Sequence, residues 1–420
     1  MAEVEIRRLD PGEGERFVRS VRIPFLDPYT GQGEQAAWME RMLRRLETGR
    51  CWVAEEDGRF VGNCGVRTMD VTVPGPAGGD CPVVPMGGVT AVGVHPTHRR
   101  RGILGRMMAA MLDDCRERGE PLAGLIASES VIYGRFGFGL ASDWVTLEID
   151  SREALMTGAP ANAALQLLDR DEAAKLLPDL FDRQRLGRPG EVSRSGGFWE
   201  EYFIDAPRYE RHEGNSLFFA AGDDGYVAYR ALEDPAAWGR DRIVVEELRG
   251  TTPAAEAALW AFVLGIDLID HVKVLRRPVD EPLRWRLADP RQLRVTAVED
   301  RLHLRILDLP AAVAARRWRT EGRIVLDVAP PPLPVGGPDP VPGRWVIEAG
   351  PDGSECRPAP AGQAADLACD VTALGSLYLG GYPASLLVAG GRVTELTPGA
   401  AATADRLFGT WPAPLTGTGF

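Results

Sequence analysis

The chain has 420 residues and a mass of 45.6 kDa, enough at roughly 150 residues apiece for two or three domains with cores of their own. Apolar residues make up 45%, and 60 acidic against 48 basic residues leave a net charge of -12. That composition excludes a disordered chain, argues against a general nucleic-acid binder, and weakly favours cationic over anionic small substrates. Six cysteines without CxxC spacing and five histidines predict neither a disulfide scaffold nor a metal site. No apolar run reaches the roughly 18 residues of a spanning helix and no apolar leader opens the chain, so the expected location is the cytoplasm.

In chain order, residues 4–9 alternate and predict a strand. Residues 34–46 set Trp38, Met39, Met42, Leu43 and Leu46 on one helical face. Residues 51–56 and 60–67 flank the turn Asp57-Gly58 as a hairpin, and 87–94 form the next strand. A helix follows from Gly102 to Arg118, with Leu104, Met107, Met108, Met111, Leu112 and Cys115 inward and Gly119 as its stop. A strand at 122–127, a short helix at 131–136 and a strand at 144–149 complete one α/β domain. The second block, from Arg152, has helical pieces around 170–180, Trp199 and Tyr202, a hairpin at 216–232, a strand at 242–250 and a helix from Pro253. Its element order repeats that of the first block, which favours an internal duplication over two unrelated α/β halves. A third block is predicted from near Val295, with a Pro- and Gly-rich loop at 330–343. From Gly409 a tail carries Trp411, Leu415 and Phe420 without an element of its own, which suggests docking.

Chemistry concentrates at Val92-Gly93-Val94-His95-Pro96-Thr97-His98-Arg99-Arg100-Arg101-Gly102-Ile103. A strand ends, the chain turns, and arginines and a glycine open a long helix. The first backbone N–H groups of a helix lack internal partners and lie at the positive end of its dipole, so they receive phosphates. Gly102 admits close approach, and Arg99 and Arg100 add forked donors. The spacing is neither a Walker loop nor a GxGxxG fingerprint. A surface arginine run is the alternative. His95 and His98 have no third ligand nearby, and Tyr133 in SESVIYGRFGFG reads locally as a core aromatic.

The segment resembles the Arg/Gln-x-x-Gly-x-Gly/Ala pyrophosphate motif of the GNAT acetyltransferase superfamily, with Arg99 and Gly102 matching and Leu104 departing at the last position. HPTHRRRGILGRMM followed by SESVIYGRFGFGLAS, together with WRLADPRQL and an aromatic chain end, is similar to a narrower family, the enhanced intracellular survival (Eis) acetyltransferases. The resemblance implies mixed α/β and α+β architecture: a catalytic GNAT domain over 1–151, a degenerate GNAT-like domain over 152–294, a sterol-carrier-like domain over 295–408, and a tail at 409–420 reaching the N-terminal active site. It implies acetyl-CoA as co-substrate and an amine acceptor, such as an aminoglycoside or a lysine side chain, and assembly as hexamers. Tyr133 is then the catalytic acid and the Phe420 carboxylate the base. Val92, Val94, Arg99, Arg100, Gly102, Ile103, Leu104 and Ser128 are expected at the cofactor. Asp27 and Trp38 are expected at the acceptor, against turn capping and plain packing as alternatives. The second block's counterpart segment, ELRGTTPAAEAAL, lacks the arginine run, so one cofactor per chain is expected. The rival class is a non-enzymatic lipid or small-molecule carrier built on the third domain.

Overall fold

Short turns and one crossover build the first half of a large sheet. In the computed structural model, which describes residues 3–25, 39–40, 42–158, 164–203, 217–232, 241–333 and 337–420, β1 (Glu5–Arg8), β2 (Cys51–Glu56), β3 (Arg59–Thr72) and β4 (Val83–Val94) pair antiparallel in order. Asp57 and Gly58 take φ of 49° and 71°, the paired left-handed residues whose twist suits a two-residue hairpin. Helix α1 (Gly14–Phe25) packs on β3 and β4. Helix α2 (Ile103–Glu117) carries the chain across, so that β5 (Leu122–Ile126) lies parallel to β4. Its predicted inward residues Met107, Met108, Met111, Leu112 and Cys115 are fully buried. The short helix expected at 131–136 is two 3-10 turns.

After β6 (Gly139–Asp150), the second half repeats the scheme. Strands β7 (Gln166–Leu168), β8 (Phe218–Gly222), β9 (Gly225–Leu232) and β10 (Asp241–Gly250) pair antiparallel, with α3 (Arg170–Arg185) and α4 (Gly196–Tyr202) between β7 and β8. Helix α5 (Pro253–Leu264) then crosses to β11 (Ile269–Arg277), parallel to β10. The last strand is β12 (Leu293–Ile306). Among the described residues these twelve strands form one sheet, ordered β1-β2-β3-β4-β5-β12-β6-β11-β10-β9-β8-β7. Read from either edge, the pattern is the same. Each half ends by sending its last strand into the other, β12 beside β5 and β6 beside β11, both antiparallel, and the exchanged strands pair at the centre.

Residues 295–306, predicted to open the third block, therefore lie in the large sheet as most of β12. The third block follows as α6 (Leu309–Ala315), β13 (Gly322–Ala329), β14 (Gly343–Gly350), β15 (Gly353–Pro358), β16 (Leu367–Asp370), α7 (Val371–Tyr378), α8 (Ala384–Ala389), β17 (Val393–Glu395) and α9 (Ala400–Phe408). Its strands form a separate sheet, ordered β15-β14-β13-β16-β17. Helix α7 is buried along its whole length and seats this block on β6 and β12. Two glycines permit the approach: a Cβ on Gly139 would lie 1.9 Å from the Thr372 carbonyl oxygen, and one on Gly375 2.2 Å from that of Leu304.

Candidate active site

The site begins with a fault in β4. Its register against β3 shifts between the pairs at Asn63 and Gly65, and inside the shift Ala91 takes φ of 52°, a conformation that costs a non-glycine residue about 1 kcal/mol. The buried Asn63 holds it there, its side-chain amide donating to the Ala91 carbonyl at 2.5 Å. β4 and β5 pair only from Met86↔Leu122 to Val89↔Leu125. Beyond that the pairing stops, leaving a slot along the β4 edge at Val92 and Val94, which among the described residues has no strand partner on the β5 side.

The slot leads to the start of α2. Arg100 and Gly102 have φ of 65° and 74°, turning the chain sharply before Ile103. Nothing lies within 4 Å of where a Cβ on Gly102 would stand, so glycine is required there by conformation and the approach stays open. Arg101 and His98 both reach Glu56, at 2.6 Å and 2.7 Å, and together hold its carboxyl down to about 2. Arg99 and Arg100 are exposed and make no ion pair among the described residues, which leaves their guanidiniums free beside the helix start. Ile103 is buried, and Leu104 leans on the same core. The large residue at the last motif position is thus accommodated by packing.

Tyr133 follows β5. Its ring lies in the cluster that holds Val89, Ile103 and Leu125, with Val92, Val94 and Leu104 packed against it, and it meets Phe138 edge-on at 6.4 Å. Burial, with Glu129 adding, pushes its phenol up, so it carries its proton at neutral pH. Tyr133 is thus a core aromatic whose cluster also takes in Val92 and Val94 of the β4 edge. Ser128 is exposed just past the end of β5. Asp27 and Trp38 lie outside the described residues.

The tail runs back across the molecule in extended form. The Leu415 amide donates to the Pro189 carbonyl at 3.0 Å, and the Thr416 hydroxyl to that of Gly190 at 2.6 Å. The Gly417 amide meets Glu191 at 3.2 Å, Arg194 donates to the Thr418 hydroxyl at 2.9 Å, and Arg45 donates to the Gly419 carbonyl at 3.3 Å. Phe420 ends over β4: a Cβ on Gly88 would come within 3.1 Å of its ring. It forms part of the wall of a chamber of about 950 Å³ between the two halves, which Thr90 of the bulge also lines.

Comparison with known proteins matches this arrangement. Acetyltransferase (GNAT) domain models match residues 5–141 and 190–306, and a sterol carrier protein domain model matches 309–417. An uncharacterized N-acetyltransferase of Streptomyces coelicolor is 38% identical over 413 residues, 93% of this chain and 94% of its own. N-acetyltransferase Eis of Mycobacterium tuberculosis is 34% identical over 336 residues, 77% of either chain. The crystal structure of Eis1 from Mycobacterium abscessus superposes with a TM-score of 0.85 at 31% identity over the whole of both chains. The chain belongs to the Eis-like family of GNAT acetyltransferases.

This Eis-like protein is thus an acetyl-CoA-dependent acetyltransferase with two GNAT-like domains and a sterol-carrier-like domain. Among the described residues no group of three His, Cys, Asp or Glu side chains is placed to hold a metal, and no helix is long and apolar enough to cross a membrane. Its second GNAT-like half has the same fault: the β10 register against β9 shifts between Val245 and Glu247, and β10 parts from β11 after Val245↔Val274. Here the edge is taken. Arg277 is buried in the slot, donates to the Leu248 carbonyl and to Glu281, both at 2.6 Å, and pairs with Glu256 in the first turn of α5. The next carboxylate along, Glu247, is clamped by Arg194 and Arg249; against the cost of burial they hold it well below the usual carboxylate range. The sequence reading misses the charged chamber walls, among them Arg67 on β3, Glu148 on β6, Glu246 on β10 and Arg301 on β12. Their signal is a charged residue inside an otherwise apolar strand, as in FVGNCGVRTM.

Proposed function

We propose that this acetyltransferase moves the acetyl group directly from acetyl-CoA to a primary amine of a cationic acceptor bound in the chamber, an aminoglycoside or a lysine side chain being the model acceptors. The thioester supplies an activated acyl group. Arg99, Arg100 and the backbone of Gly102–Leu104 receive the pyrophosphate, with Ser128 as a polar contact at the mouth. The free β4 edge at Val92 and Val94 takes the pantetheine as a strand would, and its N–H groups polarise the thioester carbonyl. The amine attacks, the C–N bond forms as the C–S bond breaks, Tyr133 gives its proton to the departing sulfur, and the proton that the nitrogen sheds on becoming an amide restores the phenol. The Phe420 carboxylate holds the ammonium and relays its proton away. Asp27 and Trp38 complete the acceptor site in this proposal. One cofactor per chain and a hexameric assembly belong to it as well. The cytoplasm is the proposed location.

The single observation that carries this is the β4 edge beyond Val89, without a strand partner on the β5 side among the described residues, on the same strand whose Thr90 and Gly88 lie by the chamber and the Phe420 ring. The Eis relatives support the amine acceptor by kinship. The test is thiol release from acetyl-CoA with aminoglycosides, lysine peptides and polyamines as acceptors. Dependence of release on an amine is the expected result; CoA binding without release on any amine would contradict it and turn attention to the carrier reading.

A further inference from the structure

Two guanidiniums in the chamber wall have no carboxylate within ion-pair distance among the described residues. Arg67 stands opposite Gly88 in the β3–β4 register, so its side chain leaves the sheet on the face where the Phe420 ring rests. Its Nε is buried without a hydrogen-bond partner. Arg301 lies over the Trp144 ring at 4.0 Å and gives its Nε to the Thr416 carbonyl at 3.2 Å. Burial lowers Arg67 to about 10 and Arg301 to about 9; Arg45 presses on the first and Arg276 on the second, while Glu201 and Glu47, and Glu191, Glu299 and Asp300, pull the other way from beyond ion-pair distance.

Among the described residues the other charges of the wall have polar partners. Arg45 pairs with Glu201 at 2.7 Å and Arg194 with Glu247, while Arg276 has Glu246 at 3.8 Å. Lys273 faces Glu148 across β11 and β6, and Glu299 accepts from Trp144 at 3.1 Å. The terminal carboxylate is committed to the amine in the function proposed above. A half-buried guanidinium with no directly paired anion loses hydration that nothing fully replaces, and a ligand that brings an anion supplies that partner.

We propose that the acceptor amine belongs to a molecule that also carries a carboxylate, received by Arg67 and Arg301: a lysine or short peptide with a free acid group, in preference to a pure polycation. This rests on the amine-acceptor proposal for the same chamber. The two guanidiniums bind and orient; the bonds made and broken are those already described.

The test compares Nα-acetyl-lysine with Nα-acetyl-lysine amide, which share the ε-amine and differ by one carboxylate. Thiol release is followed for the wild type and for Arg67→Gln and Arg301→Gln. The wild type should favour the acid by at least about tenfold in kcat/KM, the worth of a charge-assisted hydrogen bond. Each substitution should bring that ratio close to one. The ratio is internal to each protein, so a general loss of folding or turnover does not mimic it. Equal use of acid and amide by the wild type, faster turnover of cadaverine or kanamycin than of the acid, or a ratio unchanged in both variants overturns the inference while the amine-acceptor proposal stands. No release from any of these amines overturns that proposal itself.

Discussion

The two halves of the large sheet carry the same elements in the same order, and each has a bulged fourth strand that parts from the fifth. In the first half the parted edge is open, and Arg99 and Arg100, without ion pairs among the described residues, stand at the start of a helix that turns through Gly102. In the second, Arg277 fills the edge and Pro253 opens the helix. The fold therefore supplies the slot twice, and a few side chains decide whether it remains a site. The second half is not idle: Glu191, Arg194, Glu247 and Arg249, buried among its elements, hold the tail whose last residue walls the chamber between the halves. In the proposed function the halves thus divide the labour, with the cofactor slot on one side and the tail clamp on the other.

The comparison is broken most severely at Tyr133. Tyr133→Phe should lower turnover by roughly 10²–10⁴-fold, the usual worth of a general acid, with thermal stability and CoA affinity nearly intact; wild-type turnover would return Tyr133 to the core alone. In the second half the matching change is Arg277→Met. It strands Glu256 and Glu281 without their cation and should cost about 3–5 kcal/mol of unfolding free energy, measured by urea titration, without altering the number of CoA molecules bound. Adding a few glycines after Phe420 moves the carboxylate but keeps the ring, and steady-state turnover should fall by roughly 10²-fold, at the low end for loss of an acid–base group. Deletion of Phe420 should do the same.

The smallest expected effect is a pH dependence of the tail clamp. Glu247 is held below the ordinary glutamate range in the folded protein. Its stabilisation is therefore fully present above that range and is lost as the pH falls through the lowered value. Glu247→Gln should be less stable than the wild type at neutral pH, and the gap between their melting temperatures should close on acidification below about pH 4. A gap that widened in acid would reverse the sign and remove Glu247 from the clamp.

Much of this is legible in residue pattern. The Asp57-Gly58 hairpin, the inward face of α2 and the motif from Val92 to Leu104 are local, and local period or turn chemistry specifies them. The exchange of β6 and β12 is not local. The alternation of Leu302, Leu304 and Ile306, all buried, suits any half-covered strand and does not name its partner, so the strand reads as the start of a new block. β11 is hidden because the apolar run from Ala257 continues past Gly265 into Ile266 and Leu268; Leu268 then takes φ of 67° and the strand begins. Arg67 and Arg301 are inconspicuous for a related reason: a lone charge in a strand gains meaning only when the fold sets it in the wall of a chamber.

The central claim is that the first half carries the cofactor slot and the second has surrendered it, and counting bound acetyl-CoA tests this most directly. Calorimetric titration should give one site per chain. Joint replacement of Arg99 and Arg100 by alanine should weaken that site strongly, by roughly 1.5–3 kcal/mol for each guanidinium taken from the phosphates. Two sites per chain, or an affinity unchanged in the double variant, would contradict that claim.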